Sequence, residues 1–232
     1  MLCVILPVFN HIQWTDNCLN SLKQGTKQPS EIILIDNGNE ETCRHLVEKY
    51  RSLNIHYIGN EENIGVNSSW NLGLSITKRK NVLFLNNDTN ANRYFIEKII
   101  RVMKDPTIGI CVPTRFRGSN LESKSYSEED PVIQECIFIE GWAFTMRREI
   151  FDKVGFIPME FKTFMGDTYF FECSKWLKYR NVKMMNNLVY HYGSGTLKDF
   201  CNNLQKIALH RSENYTWRKM VESIKNKVLK LN

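Results

Sequence analysis

Three polar clusters in this 232-residue chain each follow an apolar run, and their side chains could bind a phosphorylated ligand. The clusters are Pro7-Val8-Phe9-Asn10, Asp36-Asn37-Gly38 and Asn86-Asn87-Asp88. Ligands of open parallel sheets bind beyond the carboxyl ends of the strands. If the apolar runs are strands of one such sheet, the three clusters mark a single ligand site.

Asp36 and Asp88 are the ionisable residues of these clusters. Asp88 comes at the end of an apolar run, where a carboxylate suits Mg²⁺ or Mn²⁺, since both ions prefer oxygen ligands and bridge to phosphates. Asp36 could bond a ribose hydroxyl or a base edge. Each residue also has a purely structural interpretation, because an aspartate can cap the following helix or, in the sequence DNG, form a turn.

Short apolar runs alternate with helical patterns along the first half of the chain. The predicted strands are Leu2–Leu6, Glu31–Ile35, Ile55–Ile58, Val82–Leu85 and Ile108–Val112. Between the first two strands, Trp14, Cys18 and Leu22 recur every four residues, as on one face of a helix. This alternation predicts an α/β fold with a mainly parallel, twisted sheet flanked by helices on both faces.

The boundaries of several further elements can be predicted from the same patterns. We expect helices over Glu40–Arg51 and Thr168–Tyr179, strands over Ile137–Arg147 and Val182–His191, and loops over Arg115–Pro131 and His191–Thr196. The first of these loops is long and polar, and such a loop in a compact domain is often functional.

The C-terminal residues 199–232 form a predicted helical, basic tail. Its apolar stripe consists of Trp217, Met220, Val221, Ile224, Val228 and Leu231. Its other face carries Arg218, Lys219, Lys225, Lys227 and Lys230. The pattern indicates a helix packed on the domain, and a basic amphipathic helix on a membrane surface or a partner is the alternative.

Composition and charge narrow the class of protein. The formal net charge of +6 is compatible with binding phosphates, an anionic membrane surface or nucleic acid, and it decides between none of them. The seven cysteines are scattered and form no CxxC pair, so we expect neither a zinc site nor a disulfide framework but buried thiols in a reducing compartment. The chain has no signal-peptide pattern and no apolar run near the ~20 residues of a membrane span, so we expect a cytoplasmic protein or a soluble part of a larger system. Neither GxGxxG after the first strand nor GxxxxGK[ST] is present, which argues against a Rossmann dehydrogenase and a P-loop NTPase.

Five motifs in order resemble the family 2 glycosyltransferases of the GT-A fold. They are PVFN, LIDNG, ENIGVNSSWNLG, LFLNNDT and the run from EGWAFTMRREIFDKVGFIP through GDTYFF to VYHYGSGT. The resemblance spans roughly Leu2 to Thr196. It implies a single GT-A domain over 1–198, with a nucleotide-binding half (1–114) and an acceptor half (115–198), followed by the tail.

The resemblance implies a role for each matched position. Donor contacts fall to Pro7, Val8, Phe9, Asn10, Asp36, Asn63, Gly65, Asn71, Asn86, Asn87, Gly141 and Trp142. Asp88 stands at the metal-binding position of the family's Asp-x-Asp motif, and His191 completes the metal or diphosphate site. Asp167 matches the catalytic base. The implied cofactor is Mn²⁺ or Mg²⁺.

Some positions depart from the family pattern. Asn86 replaces the first carboxylate of the metal motif, a variant familiar in the family, and Gly166 stands where the family usually has a glutamate. In the following helix, Tyr169 and Cys173 replace a frequent aspartate and arginine. Structural alternatives also remain, since Asp167 could cap a helix, His191 could be a strand-end histidine and Trp142 could be a core residue.

The expected reaction is the transfer of a sugar from a nucleotide-diphosphate sugar, in the family most often a UDP-sugar, to an acceptor hydroxyl. A metal ion would neutralise the diphosphate leaving group while a carboxylate deprotonates the acceptor from the other side, in a single inverting displacement. The acceptor could be a glycan, a lipid-linked molecule or another hydroxyl compound. Two alternatives are an inactive module that binds a nucleotide or glycan, and a transferase acting on modified bases in DNA.

Overall fold

The computed structural model describes residues 1–38, 43–116, 128–193 and 203–231. Its strands are β1 (Leu2–Val8), β2 (Glu31–Asp36), β3 (Ile55–Gly59), β4 (Asn81–Leu85), β5 (Thr89–Ala91), β6 (Ile108–Phe116), β7 (Ile133–Glu135), β8 (Ala143–Arg147) and β9 (Arg180–His191). Its helices are α1 (Ile12–Lys23), α2 (His45–Lys49), α3 (Val66–Ile76), α4 (Phe95–Val102), α5 (Arg148–Val154), α6 (Gly166–Trp176) and α7 (Asn203–Leu229).

These strands form one sheet in the order β3-β2-β1-β4-β8-β6-β9-β5, with β7 beside β9. The first four strands are parallel, and Val8 of β1 lies opposite Asp36 of β2. Beyond β4 the sheet is mixed, since β8 is antiparallel to β4 and β6 while β9 is parallel to β6. The predicted α/β class is confirmed, and the parallel part brings the ends of β1, β2 and β4 to one edge.

The core lies in two layers, one on each face of the sheet. In β1, Leu2, Val4 and Leu6 contribute to the first layer, and Cys3 and Ile5 contribute to the second. This alternation follows from the two-residue period of a strand. Helices α1, α2 and α4 cover the first layer, and α3, α5, α6 and α7 cover the second. Five thiols are buried and free, as expected of core cysteines: Cys3, Cys18, Cys43, Cys111 and Cys173.

The helix predicted over Glu40–Arg51 is shorter than expected. Residues 39–42 lie outside the described part of the chain, and α2 spans His45–Lys49. The backbone N–H of Cys43 donates to Asp36 Oδ2 at 2.9 Å, which holds the chain before α2 in a loop. The helix predicted over Thr168–Tyr179 begins earlier, at Gly166, and ends at Trp176.

The strand predicted over Ile137–Arg147 is wrong in its first half, because β8 begins at Ala143. The side chains of Ile137 and Phe138 are 86% and 64% exposed. They lie in a segment that lines a cavity of about 240 Å³ with Arg115 and Trp142. An apolar run therefore marks an exposed surface here and not a sheet interior. The strand predicted over Val182–His191 is confirmed by β9.

The loop predictions fall largely outside the described residues. Arg115 and Phe116 belong to β6, residues 117–127 are not described, and His191 ends β9. Residues 194–202 are likewise not described.

Helix α7 packs its apolar stripe on the second core layer. Trp217, Met220 and Ile224 contact that layer and Val228 is buried in it, whereas Leu231 is largely exposed. The stripe is thus covered by the domain, as the packed-helix interpretation predicts. In the described part of the chain, no helix is both long and apolar enough to cross a bilayer.

Candidate active site

The predicted site begins where β1 ends. Pro7 and Val8 are the last residues of β1, and Phe9 and Asn10 follow. Asn10 and His11 have positive φ angles of 54° and 52°, a backbone conformation that is uncommon for residues other than glycine. Among the described residues no hydrogen-bond partner reaches the buried Asn10 Oδ1. This turn therefore places an unsatisfied amide oxygen at the sheet edge.

The Asp36 carboxylate at the end of β2 is buried and holds its own loop. Its Oδ1 accepts the Gly38 N–H at 3.0 Å. Its Oδ2 accepts the Cys43 N–H at 2.9 Å and the Tyr57 hydroxyl at 2.8 Å. Within the protein, Asp36 therefore makes the contacts that the turn interpretation predicts. A bound sugar-nucleotide donor would have to share its carboxylate oxygens.

The motif ENIGVNSSWN forms the loop before α3 and its first turns. Asn63 is exposed, and its Oδ1 accepts the N–H of Gly65, whose φ is 84°. The Asn71 amide is bonded at both ends to the Ile157 backbone, at 2.9 Å each, so Asn71 fixes α3 to the segment after α5. A residue with no predicted role, Asn67, donates to the carbonyls of Phe161 and Phe164 at 2.9 and 2.8 Å.

The NND cluster turns the chain from β4 into β5. The Asn86 N–H donates to the Trp142 carbonyl at 2.9 Å, and the Asn87 amide donates to the Thr15 hydroxyl at 3.0 Å. Strand β5 pairs with β9 so that Thr89 lies opposite His191. This pairing brings Asp88, the residue before β5, next to the last residue of β9.

Asp88 and His191 form a buried polar pair. Asp88 Oδ1 and His191 Nε2 are 3.1 Å apart, and the two residues are only 3% and 8% exposed. The contact lacks hydrogen-bond geometry, and neither atom has another hydrogen-bond partner among the described residues. Buried polar atoms without partners are costly, so this pair is suited to accept a further partner, either a water molecule or an ion.

The pair fits a divalent cation in the chemistry of its donors. Carboxylate oxygen suits Mg²⁺ and Mn²⁺, and imidazole suits the transition metals. No third His, Cys, Asp or Glu side chain joins the two in a metal-binding group within the described ranges. An ion held here would take its remaining ligands from water and phosphate oxygens, which is usual for Mg²⁺-like sites.

Gly141 and Trp142 lie between this pair and Asp167. The Trp142 ring stacks on His191 with centroids 5.0 Å apart, and its Nε1 donates to Glu140 Oε2 at 2.6 Å. A Cβ on Gly141 would lie 3.1 Å from Asp167 Oδ2, so the glycine allows the carboxylate to approach the backbone closely. Gly141 therefore lies against Asp167, the predicted base, and Trp142 lies against His191, a predicted metal ligand.

Asp167 lies in the first turn of α6, whose N-cap is Met165, so Asp167 is not the cap of this helix. Its Oδ1 accepts the Thr168 N–H at 2.7 Å. Burial raises the pKa of Asp167 above its ordinary value, although hydrogen bonds from the Thr168 and Gly141 backbone N–H groups favour the ionised form. A carboxylate with a raised pKa is better matched to accepting a proton near neutral pH.

An aromatic cluster at the same edge was not predicted. Trp14 stacks on His11 at 4.0 Å and lies parallel to Tyr192 at 6.0 Å between ring centroids. The Tyr192 N–H donates to the Asp88 carbonyl at 2.9 Å. The cluster links α1 to the end of β9, and in the sequence Trp14 carries only the signal of a core helix position.

Comparisons with known proteins identify the family of this chain. The family model described as "Glycosyl transferase family 2" matches residues 3–167. An uncharacterized glycosyltransferase, EpsJ of Bacillus subtilis (strain 168), is 22% identical over 210 residues, which cover 83% of this chain and 60% of EpsJ. An uncharacterized glycosyltransferase of Haemophilus influenzae is 30% identical over 161 residues, 68% of this chain and 51% of that protein. The chain thus spans between half and two thirds of the length of these relatives.

Solved structures share the fold. S. aureus TarS 1-349 in complex with UDP has a TM-score of 0.66 at 20% identity, with 82% of this chain and 59% of that chain covered. GalNAc-T7 with UDP, GalNAc and Mn²⁺ has a TM-score of 0.68 at 14% identity, with 82% of this chain and 43% of that chain covered. Both are GT-A transferases, and the likeness shows that this chain has the same architecture.

Proposed function

Because the chain belongs to glycosyl transferase family 2, we propose that it transfers a sugar from a UDP-sugar to an acceptor hydroxyl, with a divalent cation at Asp88 and His191 and with Asp167 as the catalytic base. The observation that carries the proposal is the Gly141-Trp142 pair, which contacts His191 on one side and Asp167 on the other. A displacement at a sugar carbon needs its leaving group and its base at opposite ends of one site.

The residues of the sheet edge have separate tasks in this proposal. The turn at Phe9-Asn10 and the loop after Asp36 form the nucleotide side of the site. Asp88 and His191 would hold Mn²⁺ or Mg²⁺, and a bound ion would supply positive charge to neutralise the diphosphate leaving group. Trp142 fixes the His191 ring by stacking and keeps bulk water from that side of the pair.

Asp167 accepts the proton of the acceptor hydroxyl at its carboxylate. The Thr168 and Gly141 N–H groups keep the carboxylate oriented, and burial keeps its basicity higher than that of an exposed aspartate. Asn71 is left out of the proposed donor contacts because its amide is already bonded to Ile157. UDP is proposed as the nucleotide because it is bound in the TarS and GalNAc-T7 structures named above.

The test is a thermal-shift and hydrolysis series. A ligand that binds the native state raises the melting temperature, so UDP with Mn²⁺ should stabilise the protein more than either alone. UDP-GlcNAc, UDP-glucose and UDP-galactose are then screened for UDP release. Asp88→Asn should abolish the stabilisation that needs Mn²⁺, whereas the control Asp130→Asn, whose side chain is 91% exposed, should keep it.

Two results would overturn the proposal in different ways. Binding of UDP and Mn²⁺ without release of UDP from any donor, with or without added glycan acceptors, would favour the inactive binding module. Stabilisation by UDP that is the same with EDTA as with Mn²⁺ would remove the metal from the mechanism.

A further inference from the structure

The segment before Asp167 is held from two sides by side chains that approach its backbone. From one side, Asn67 Nδ2 of α3 donates to the carbonyls of Phe161 and Phe164. From the other side, Glu213 of α7 accepts backbone N–H groups, at 3.1 Å from Thr163 to Oε1 and at 2.8 Å from Phe164 to Oε2. We call residues 161–165 the clamped loop.

One face of α7 packs against this loop. His210, Glu213 and Trp217 are three and four residues apart and therefore lie on the same side of the helix. The His210 ring meets Phe164 edge-on at 5.0 Å, and Trp217 lies 6.1 Å from Phe161. Together the three side chains contact both ends of the clamped loop.

The clamped loop leads directly into the helix that carries Asp167. It ends at Met165, whose φ of 62° is a left-handed conformation that a non-glycine residue holds only when its surroundings fix it. Gly166 then begins α6, and Asp167 follows in the first turn. Phe164 is therefore only three residues before the carboxylate that lies against Gly141.

Glu213 is unusual because its side chain is buried, whereas glutamate is seldom buried in folded proteins. It is only 4% exposed. Burial raises the pKa of its carboxyl, and hydrogen bonds from the backbone N–H groups of Phe164, Thr163 and Lys162 offset this in part. Burying a carboxylate is unfavourable unless hydrogen bonds compensate, and the compensation here comes from the clamped loop.

We propose that Glu213 is a positioning residue of the active site, whose carboxylate fixes the clamped loop and through it the orientation of Asp167. The proposal rests on the proposed function, because it takes Asp167 to be the base. It makes α7 part of the catalytic apparatus and not an appended tail. Misplacement of a catalytic group lowers the rate of the chemical step more than it lowers substrate binding.

The experiment compares Glu213→Gln with Glu222→Gln. Glu222 lies on the same helix, its side chain is 72% exposed, and it pairs only loosely with Lys225 at 3.7 Å, so it is a matched control. In Glu213→Gln, an amide NH₂ faces a backbone N–H. We expect hydrogen exchange at the Thr163 and Phe164 amides to become faster by about tenfold or more, the factor that corresponds to one lost hydrogen bond to a charged group. In UDP-sugar hydrolysis we expect kcat to fall by about tenfold with the donor KM unchanged, and Glu222→Gln to resemble the wild type.

Each other outcome has a defined meaning. Unchanged exchange in the clamped loop, or faster exchange with unchanged kcat, overturns the positioning role. A raised donor KM at constant kcat also overturns it, since Glu213 would then act on donor binding through α3. If Glu213→Gln does not fold, Glu213→Asp is measured instead, and it should show both effects at smaller size. A wild-type protein that releases no UDP from any donor refutes the proposed function itself, and the role of Glu213 is refuted with it.

Discussion

Gly166→Ala tests the close packing at the position before Asp167, the proposed base, where the resemblance to family 2 glycosyltransferases implies a glutamate in most members. A Cβ at position 166 would lie 2.1 Å from Asn67 Oδ1, 2.8 Å from Asn67 Cγ and 3.1 Å from Trp70 Cζ3. Real Cβ atoms essentially never come within 3.0 Å of other atoms, as this one would with both Asn67 atoms, so Asn67 must move or the start of α6 must shift. Any larger side chain at this position, including glutamate, meets the same obstacle.

The loss in the free energy of unfolding of Gly166→Ala can be estimated from the contacts of Asn67. If Asn67 stays, the overpacked methyl costs about 1–3 kcal/mol. If it rotates away, it loses its bonds to Phe161 and Phe164, at about 0.5–1.5 kcal/mol each. Replacing a helical glycine by alanine stabilises the helix by up to about 1 kcal/mol, which offsets part of this loss. We therefore expect a net loss of about 1–2 kcal/mol, which for a domain of this size lowers Tm by about 2–8 °C.

A double-mutant cycle measured by urea unfolding isolates the cause. Asn67→Ala removes the obstacle, so its effect and that of Gly166→Ala should fall short of additivity by about 1 kcal/mol. Gly155→Ala is the control, because its methyl enters open space and its cost comes only from a φ of 82°. That cost should add to the cost of Asn67→Ala. Wild-type stability of Gly166→Ala, or full additivity with Asn67→Ala, would refute the reasoning.

Three further outcomes follow from the proposed site. Asp167→Asn should lower kcat for UDP release by about 10²–10⁴-fold while UDP affinity, measured by titration calorimetry, stays the same, and a near-wild-type rate would exclude Asp167 as the base. Asp167 must be ionised to accept a proton, and burial raises its pKa. Activity should therefore fall with decreasing pH already at pH values above the ordinary aspartate pKa of about 4. A pH–rate profile whose acid limb lies below that value would contradict this. His191→Ala should weaken Mn²⁺ binding about 10-fold or more in a calorimetric titration in the presence of UDP, and unchanged binding would show that His191 is a structural residue.

The fold was predictable because its signals are local. The alternation of β1 between two core layers and the spacing of the α1 core residues follow directly from strand and helix periods. The edge that gathers Asn10, Asp36 and Asp88 follows from parallel pairing. Ile137 and Phe138 were misassigned because an apolar run has the same composition whether it lies in a sheet or on an exposed surface.

The site was predictable only in part. The Asp88–His191 pair joins residues far apart in sequence through the β5–β9 pairing, and only the resemblance to a known family connected them in advance. Glu213 carries no sequence signal, because a glutamate on a helix with a basic face is most often exposed to solvent. Its role depends on which backbone N–H groups face it, and those are set by tertiary packing.

The contact between α7 and the clamped loop has an evolutionary consequence. The match to the family ends at residue 167, whereas His210, Glu213 and Trp217 lie beyond it. The proposed catalytic aspartate lies within the family match, whereas the helix that contacts the loop before it lies outside that match. Relatives that exchanged only this terminal helix could diverge in how firmly the aspartate is aimed, and so in turnover, while every residue of the nucleotide side stayed the same.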